Sequence, residues 1–180
     1  MNLPSCENLL LHENRGVLTI TLNRPKVRNA MNLAMVHELM STFETIAPQR
    51  EIRIVVLQGA EGNFCAGGDI KDMTNARAIA SNAKQDALFE LNRTFGTMIS
   101  QINAAPQVVI TLLEGAVLGG GFGIACISDI AIADTNSQFG LPETSLGIPP
   151  AQIAPFVVNR IGLTQARRLM LTGARFNGEQ

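Results

Sequence analysis

Three consecutive glycines, Gly119, Gly120 and Gly121, stand between a β-branched run at 108–111 and an apolar segment at 124–127. This order predicts a strand, a turn with a bare backbone and the first turn of a buried helix. The first N–H groups of a helix have no intrahelical partner and point outward beside a partial positive charge. Such a turn can bind an oxygen that is becoming an anion, or it can simply let a helix and a strand pack closely.

A second glycine-rich turn, at 62–70, follows another predicted strand at 52–57. Its centre reads Ala66-Gly67-Gly68-Asp69-Ile70. One N–H donor from each turn, if the two converge, would stabilise the carbonyl oxygen of a thioester or another carbonyl group as negative charge develops on it. The two turns together therefore predict an oxyanion hole.

Composition excludes several classes of function. The chain of 180 residues is 46% hydrophobic and 16% charged, which is ordinary for one well-buried globular domain. Its net charge of −1, its scattered basic residues and its lack of Trp and Tyr argue against a nucleic-acid partner. The sequence shows neither a leader-like N-terminus nor an apolar run of about 18 residues, so we expect a cytoplasmic protein with no membrane partner. Cys6, Cys65 and Cys126 form no CxxC pair and are expected to be free thiols, not metal ligands.

The apolar patterns alternate between strand-like and helix-like segments. A hairpin is predicted from two apolar runs separated by Glu13-Asn14-Arg15-Gly16, and Asn32 is a candidate cap for an amphipathic helix that ends before Pro48. Further along the chain, the predicted elements are a strand at 52–57, helix from 69 to 105 with a break near 74–75, strands at 108–113 and 129–133, and a helix at 163–171. This alternation predicts an α/β fold with right-handed crossovers.

A set of short motifs resembles the enoyl-CoA hydratase/isomerase (crotonase) family over nearly the whole chain. The motifs are Asn23-Arg24-Pro25, Asn29-Ala30, Phe64-x-Ala66-Gly67-x-Asp69-Ile70, Gly115-x-x-Leu118-Gly119-Gly120-Gly121, Ser128-Asp129, Phe139-Gly140-x-Pro142-Glu143 and Leu171-Thr172-Gly173. The resemblance implies a spiral of repeated β-β-α units as a single core domain over residues 1–180. It also implies that the C-terminal helical segment used for oligomerisation is largely absent, and that the full-length protein forms a homotrimer or hexamer.

The resemblance further implies an acyl-CoA substrate and no separate cofactor, since the acyl group is carried as a coenzyme A thioester. The two oxyanion donors would be the N–H groups of Gly68 and Gly120, with small side chains tolerated better at Gly68. Lys26 and Arg28 would meet CoA phosphates, or they are ordinary solvated surface cations. The remaining residues expected to border the substrate are Ala66, Gly67, Asp69, Ile70, Gly119, Pro142 and Gln152, although Asp69 also suits a helix cap.

The acid/base residue is where this sequence departs from the family. Family hydratases usually carry two glutamates, one two residues after the glycine triplet and one after the Phe-Gly-x-Pro turn. Glu143 holds the second position, whereas Gly123 holds the first and cannot transfer a proton. Glu143 is the expected catalytic acid/base, because an apolar pocket raises the pKa of a carboxyl; the alternative is a helix-start carboxylate after Pro142.

Two substitutes for the missing acid remain open: a water held by Gln152, which could instead cap the following helix, or a carboxylate between residues 72 and 90. We expect hydration of a 2-enoyl-CoA, with a branched or carboxylated acyl chain as one option. The alternatives are a one-acid isomerase or decarboxylase and a non-catalytic acyl-CoA-binding relative.

Overall fold

The computed structural model describes residues 3–69, 74 and 87–180, and these form a mixed α/β fold. A hairpin of strands β1 (Leu9–Asn14) and β2 (Val17–Leu22) opens it, as predicted. Its two turn residues, Arg15 and Gly16, both have positive φ, which tight hairpin turns favour. The larger sheet continues from β2 through β3 (Ile54–Gly59), β4 (Val108–Leu113) and β6 (Ile130–Ala133), with every pair after the hairpin parallel.

Helix α1 (Leu33–Ile46) follows the sequence prediction closely. The Asn32 side chain accepts a hydrogen bond from the Met35 N–H at 2.9 Å, which satisfies one of the unpaired donors of the first turn. The apolar residues recur at helical spacing and are buried together with the inward-facing residues of the sheet. This shared core includes Met35, Leu39, Phe43, Ile46, Leu18, Ile20, Leu22, Val55 and Leu57.

A second, smaller sheet was not predicted. It consists of β5 (Ala116–Leu118), β7 (Gln138–Gly140) and β8 (Phe176–Asn177). The prediction that β4 leads directly into the triple-glycine turn is therefore wrong, because β5 lies between them. The chain leaves the larger sheet at Gly115, whose φ is +52° and whose missing side chain leaves room for the Asn63 Oδ1.

The described part contains three further α-helices, α2 (Ala87–Asn103), α3 (Gly120–Ile127) and α4 (Ala154–Thr172), and short 3-10 helices at Pro25–Val27, Ala60–Gly62 and Pro142–Leu146. All eight residues of α3 are buried, as expected for the helix after the glycine triplet. The Phe122 ring on α3 contacts the rings of Phe139 on β7 and Phe176 on β8, with ring centroids 5.9 and 5.7 Å away. These aromatic contacts pack α3 against the smaller sheet.

Helix α4 begins well before the predicted 163–171. Its backbone departs from helical geometry at Gly162, where φ is +76°. The apolar spacing in the sequence therefore predicted only the part of the helix after Gly162. None of the helices in the described ranges has the length and apolar character that crossing a bilayer requires.

Candidate active site

Three roughly parallel backbone segments end side by side, and each of the two predicted donors and Glu143 follows the end of one. Cys65 pairs with Val117 in a parallel bridge, and β5 in turn pairs parallel with β7. The segment at 64–68 leads to Gly68, β5 leads to Gly120, and β7 leads to Glu143. Because the carboxyl ends of parallel segments meet at one edge, residues distant in the sequence are brought to one site.

The two glycine turns contact each other through their backbones. A Cβ built on Gly67, where φ is +99°, would lie 3.3 Å from the carbonyl oxygen of Leu118. At Gly121, a Cβ would lie 2.8 Å from the carbonyl oxygen of Cys65. Glycine is therefore required on both sides of this contact. Nothing in the sequence distinguishes the need for glycine at 121 from that at 119 and 120.

Both predicted oxyanion donors are available for a ligand. No backbone hydrogen bond within the described ranges uses the N–H of Gly68, and Gly120 is the first residue of α3, where the N–H has no intrahelical acceptor. The side chains of Met31 and Phe95 crowd Gly120: their ends lie 2.7 and 2.8 Å from the position that a Cβ would take. This contact between Met31 and the second glycine turn has no signature in the sequence.

Glu143 lies in the first turn of a short 3-10 helix, Pro142–Leu146, that directly follows β7 and Leu141. The preceding Pro142 starts this turn and sets the direction of the chain at the end of the strand. The Glu143 Oε1 lies 2.7 Å from the position of a Cβ on Gly119, where φ is +50°. Any side chain at 119 would therefore push the carboxyl away, and the glycine there serves the acid as well as the turn.

Burial raises the pKa of the Glu143 carboxyl above its ordinary value, and a hydrogen bond from the residue's own N–H opposes part of this rise. Its Oε2 is buried and accepts no hydrogen bond from the part of the chain that the structure describes. A buried carboxyl with a raised pKa is suited to general acid/base catalysis. The predicted electrostatic environment of Glu143 is confirmed in direction, whereas its catalytic role stays a prediction.

Position 123 has no room for a second acid. A Cβ on Gly123 would lie 3.0 Å from the Cβ of Ile153 and closer still to its Cγ2. Ile153 itself is buried, with 2% of its surface exposed. The packing of Ile153 against α3 thus accounts for the glycine at position 123, where the resemblance to the hydratases would lead one to expect a glutamate.

Gln152 packs against α2 near the donor turn. Its side-chain Cδ lies 2.7 Å from the position of a Cβ on Gly96, the residue after Phe95. Its amide has no hydrogen-bond partner among residues 3–69, 74 and 87–180. The alternative of a helix cap is wrong, because Ile153 is the N-cap residue of α4 and no side chain caps that end.

The other predicted contacts with the substrate fall into three groups. Lys26 and Arg28 are exposed on the loop before α1, and the Arg28 carbonyl accepts from the Ala66 N–H at 2.9 Å, so this loop borders the first glycine turn. Asp69 forms an ion pair with Arg24, with 2.9 Å between Oδ2 and Nη1. Ile70 and most of 72–90 lie outside the described residues, and Glu90 is exposed on α2.

Two surface cavities lie beside this region and not within it. One is lined by residues between 144 and 154 together with Met170 and Leu171, and the other by residues between 140 and 145 and between 172 and 175. Neither is lined by Gly68, Gly120 or Glu143. Within the described ranges, no cluster of His, Cys, Asp and Glu side chains could hold a metal ion.

Comparison with known proteins identifies the family. A family model described as enoyl-CoA hydratase/isomerase matches residues 12–180. The chain belongs to this family. The solved structure of Pseudomonas aeruginosa AtuE is 62% identical and superposes with a TM-score of 0.91, covering 96% of this chain and 65% of that one. The crotonase-like α/β fold implied by the sequence motifs is therefore confirmed.

Enoyl-CoA hydratase/isomerase relatives differ in the reactions that their names state. The 2,3-dehydroadipyl-CoA hydratase of Escherichia coli is 31% identical over 96% of this chain and 64% of its own length. The mitochondrial 3-hydroxyisobutyryl-CoA hydrolase of Xenopus laevis is 32% identical over 88% of this chain and 40% of its own length. This chain thus spans less than two thirds of these curated relatives, and family membership alone does not select one reaction.

Proposed function

We propose that this chain carries the core of an enzyme that adds water to a 2-enoyl-CoA thioester. The N–H groups of Gly68 and Gly120 hold the thioester oxygen, and Glu143 moves the proton. The observation that carries the proposal is the partly buried Glu143 carboxyl. Its Oε2 is buried without a hydrogen-bond partner in the described part of the chain, and its Oε1 lies against Gly119, next to Gly120. Family membership supports a CoA thioester as the substrate class.

Since Gly123 supplies no second acid, Glu143 performs both proton transfers. Its carboxylate takes a proton from water while the water oxygen bonds to C3 of the enoyl group. The π electrons of the conjugated system move onto the thioester oxygen, where the two N–H groups stabilise the enolate. The protonated Glu143 then returns that proton to C2 as the thioester carbonyl re-forms, which places both parts of one water molecule on the same face of the product.

A double-bond isomerase is the second candidate, and the contact between Gly123 and Ile153 favours it. In this reaction Glu143 removes a proton from C2 of a 3-enoyl-CoA and delivers it to C4, so one carboxyl suffices and no water is positioned. The same two N–H donors stabilise the intervening enolate.

The homotrimer or hexamer and the cytoplasmic location stay predictions.

The decisive experiment incubates the protein with crotonyl-CoA and with a 3-enoyl-CoA in deuterated water, with products identified by mass spectrometry. Hydration removes the conjugated enoyl absorbance and adds one water, with deuterium at C2. Deuterium uptake by the 3-enoyl-CoA without added water would identify an isomerase. Tight binding of both esters without turnover of either would overturn both candidates in favour of an acyl-CoA-binding protein.

Two variants test the role of Glu143 in whichever reaction is found. Glu143→Gln should lower kcat by about 10²- to 10⁴-fold, the usual contribution of a general acid/base. The matched control is Glu114→Gln, which alters an exposed carboxylate after β4 and should leave kcat unchanged. Equal activity of the two variants would contradict the role of Glu143.

A further inference from the structure

The orientation of Gly68 is set by two hydrogen bonds to Met31. The Met31 N–H donates to the Gly67 carbonyl at 2.8 Å, and the Met31 carbonyl accepts from the Asp69 N–H at 2.9 Å. Together they form a parallel bridge between Met31 and Gly68. In such a bridge the enclosed residue turns its own N–H to the opposite side. The two bonds therefore point the Gly68 donor away from Met31.

An ion pair closes this bridge from the side. Nη1 of Arg24 lies 2.9 Å from the Asp69 Oδ2, and the same nitrogen donates to the carbonyl of Ala30. Ala30 precedes Met31 and Asp69 follows Gly68, so one guanidinium nitrogen holds both segments at the bridge. The two side chains are 21% and 11% exposed, which limits the screening of the pair by solvent.

Arg24 is anchored by a buried amide. The Asn29 side chain is completely buried, and its Oδ1 accepts from the Arg24 N–H at 2.9 Å. Its Nδ2 donates to the carbonyls of Ala60 and Asn63 at 2.9 and 2.6 Å. Asn29 thereby fixes the base of Arg24 to the loop that leads into the first glycine turn.

Met31 also contacts the second donor. Its Cε lies 2.7 Å from the position of a Cβ on Gly120. The residue that orients Gly68 through its backbone thus packs through its side chain on Gly120. A shift of the Met31 segment would alter both donors together.

We propose that Arg24 and Asp69 are positioning residues, whose ion pair holds the N–H of Gly68 in register with that of Gly120. This proposal rests on the proposed function in one respect, namely that these two N–H groups bind a thioester oxygen. Neither charged side chain contacts the reacting atoms; their effect passes through the backbone at Met31 and Gly68. Loss of either partner removes the ion pair that holds the two segments together at the bridge.

The test uses two variants that weaken the ion pair between Arg24 and Asp69. Asp69→Asn keeps the size of the side chain, and Arg24→Lys keeps its charge. The probe is butyryl-CoA labelled with ¹³C at the thioester carbonyl, a saturated ester that cannot be hydrated. Its bound carbonyl stretch, read by infrared spectroscopy, should move to lower frequency in the wild-type protein and less so in both variants. Turnover of the enoyl substrate should show kcat lowered about tenfold with KM changed little, less than the 10²- to 10³-fold cost of losing a donor outright.

A structural carboxylate provides the control. Asp129 accepts from the Val109 N–H at 2.7 Å, so Asp129→Asn should lower the melting temperature without changing the carbonyl stretch. A wild-type carbonyl shift that persists unchanged in Asp69→Asn and Arg24→Lys overturns the positioning proposal alone. If the wild-type protein binds the ester without any carbonyl shift, the oxyanion hole fails and the positioning proposal fails with it.

Discussion

Ile153 occupies the space that a side chain at position 123 would enter, because its Cβ lies 3.0 Å from where a Cβ on Gly123 would be. This contact joins the start of α4 to the first turn of α3, which begins at Gly120, a predicted oxyanion donor. The fold therefore leaves Glu143 as the candidate acid of this site, with no carboxylate at position 123. Any chemistry that needs two carboxyls must take the second from elsewhere.

The contact predicts a strong coupling between positions 123 and 153. Gly123→Ala should destabilise the protein by about 1–3 kcal/mol through overpacking, and Ile153→Ala by about 2–5 kcal/mol through the cavity it leaves. The double variant should lose less than the sum, since each change relieves the other. Chemical denaturation of the four proteins measures the coupling, and additive losses would show that the two residues do not compete for space.

The two glycines at the start of α3 should respond differently to alanine. A Cβ at Gly121 would meet the Cβ and the main-chain oxygen of Cys65, which cannot turn aside, whereas a Cβ at Gly120 meets the ends of two side chains. Gly121→Ala should therefore cost about 1–3 kcal/mol of stability and lower kcat/KM more than Gly120→Ala does. Thermal melting and steady-state kinetics of both variants check this order, and the reverse order would show that backbone contact is not the stricter constraint.

Glu143 should make the stability of the protein depend on pH. Because burial raises its pKa in the folded state, the folded protein favours the protonated form, and that stabilisation is lost as the pH rises through the folded pKa. Glu143→Gln removes this titration. The melting temperature of the variant minus that of the wild type should therefore increase as the pH rises from 4 to 8. Glu114→Gln is the control and should follow the wild type throughout; a constant difference for Glu143→Gln would contradict the burial of the charge.

Gly96 and Gln152 give a second test of packing at the site. Replacement of a mid-helix glycine by alanine normally stabilises a helix by about 1 kcal/mol, but here the new methyl group would collide with the Gln152 amide. Gly96→Ala should therefore gain little in the wild type and about the usual amount in a Gln152→Ala background. Melting curves of the four proteins measure this, and an equal gain in both backgrounds would show that the flexible Gln152 side chain moves off α2 without cost.

Kinetics of the same proteins separate the packing role of Gln152 from a role in catalysis. If the amide holds the attacking water, Gly96→Ala should lower kcat by displacing it, and Gln152→Ala should lower kcat at least as much. Unchanged kcat in Gly96→Ala and Gln152→Ala would show that Gln152 has a packing role and no role in catalysis.

Local sequence patterns predicted the structure correctly where the contacts that determine it are made by residues close together in the sequence. The Asn32 cap and the helical spacing of α1, the tight turn of the β1–β2 hairpin and the bare backbone at 119–121 all depend on neighbouring residues. The order of the motifs was sufficient for the family and the fold. For Glu143, the pattern predicted a carboxyl with a raised pKa, and its burial has this effect.

What only the tertiary structure decided involves residues far apart in the chain. The segment β5 was missed because a strand of three residues has no periodicity of its own, and it exists through its pairing with Cys65 on one side and β7 on the other. The packing of Ile153 on Gly123 and the ion pair between Arg24 and Asp69 have the same origin. Contacts of this kind depend on how whole elements pack against each other, so they cannot be predicted from the spacing of residues along one element. The sequence by itself therefore determined the family, the fold and the candidate acid. The packed structure decided the space around that acid and the ion pair between Arg24 and Asp69, beside the predicted donor Gly68.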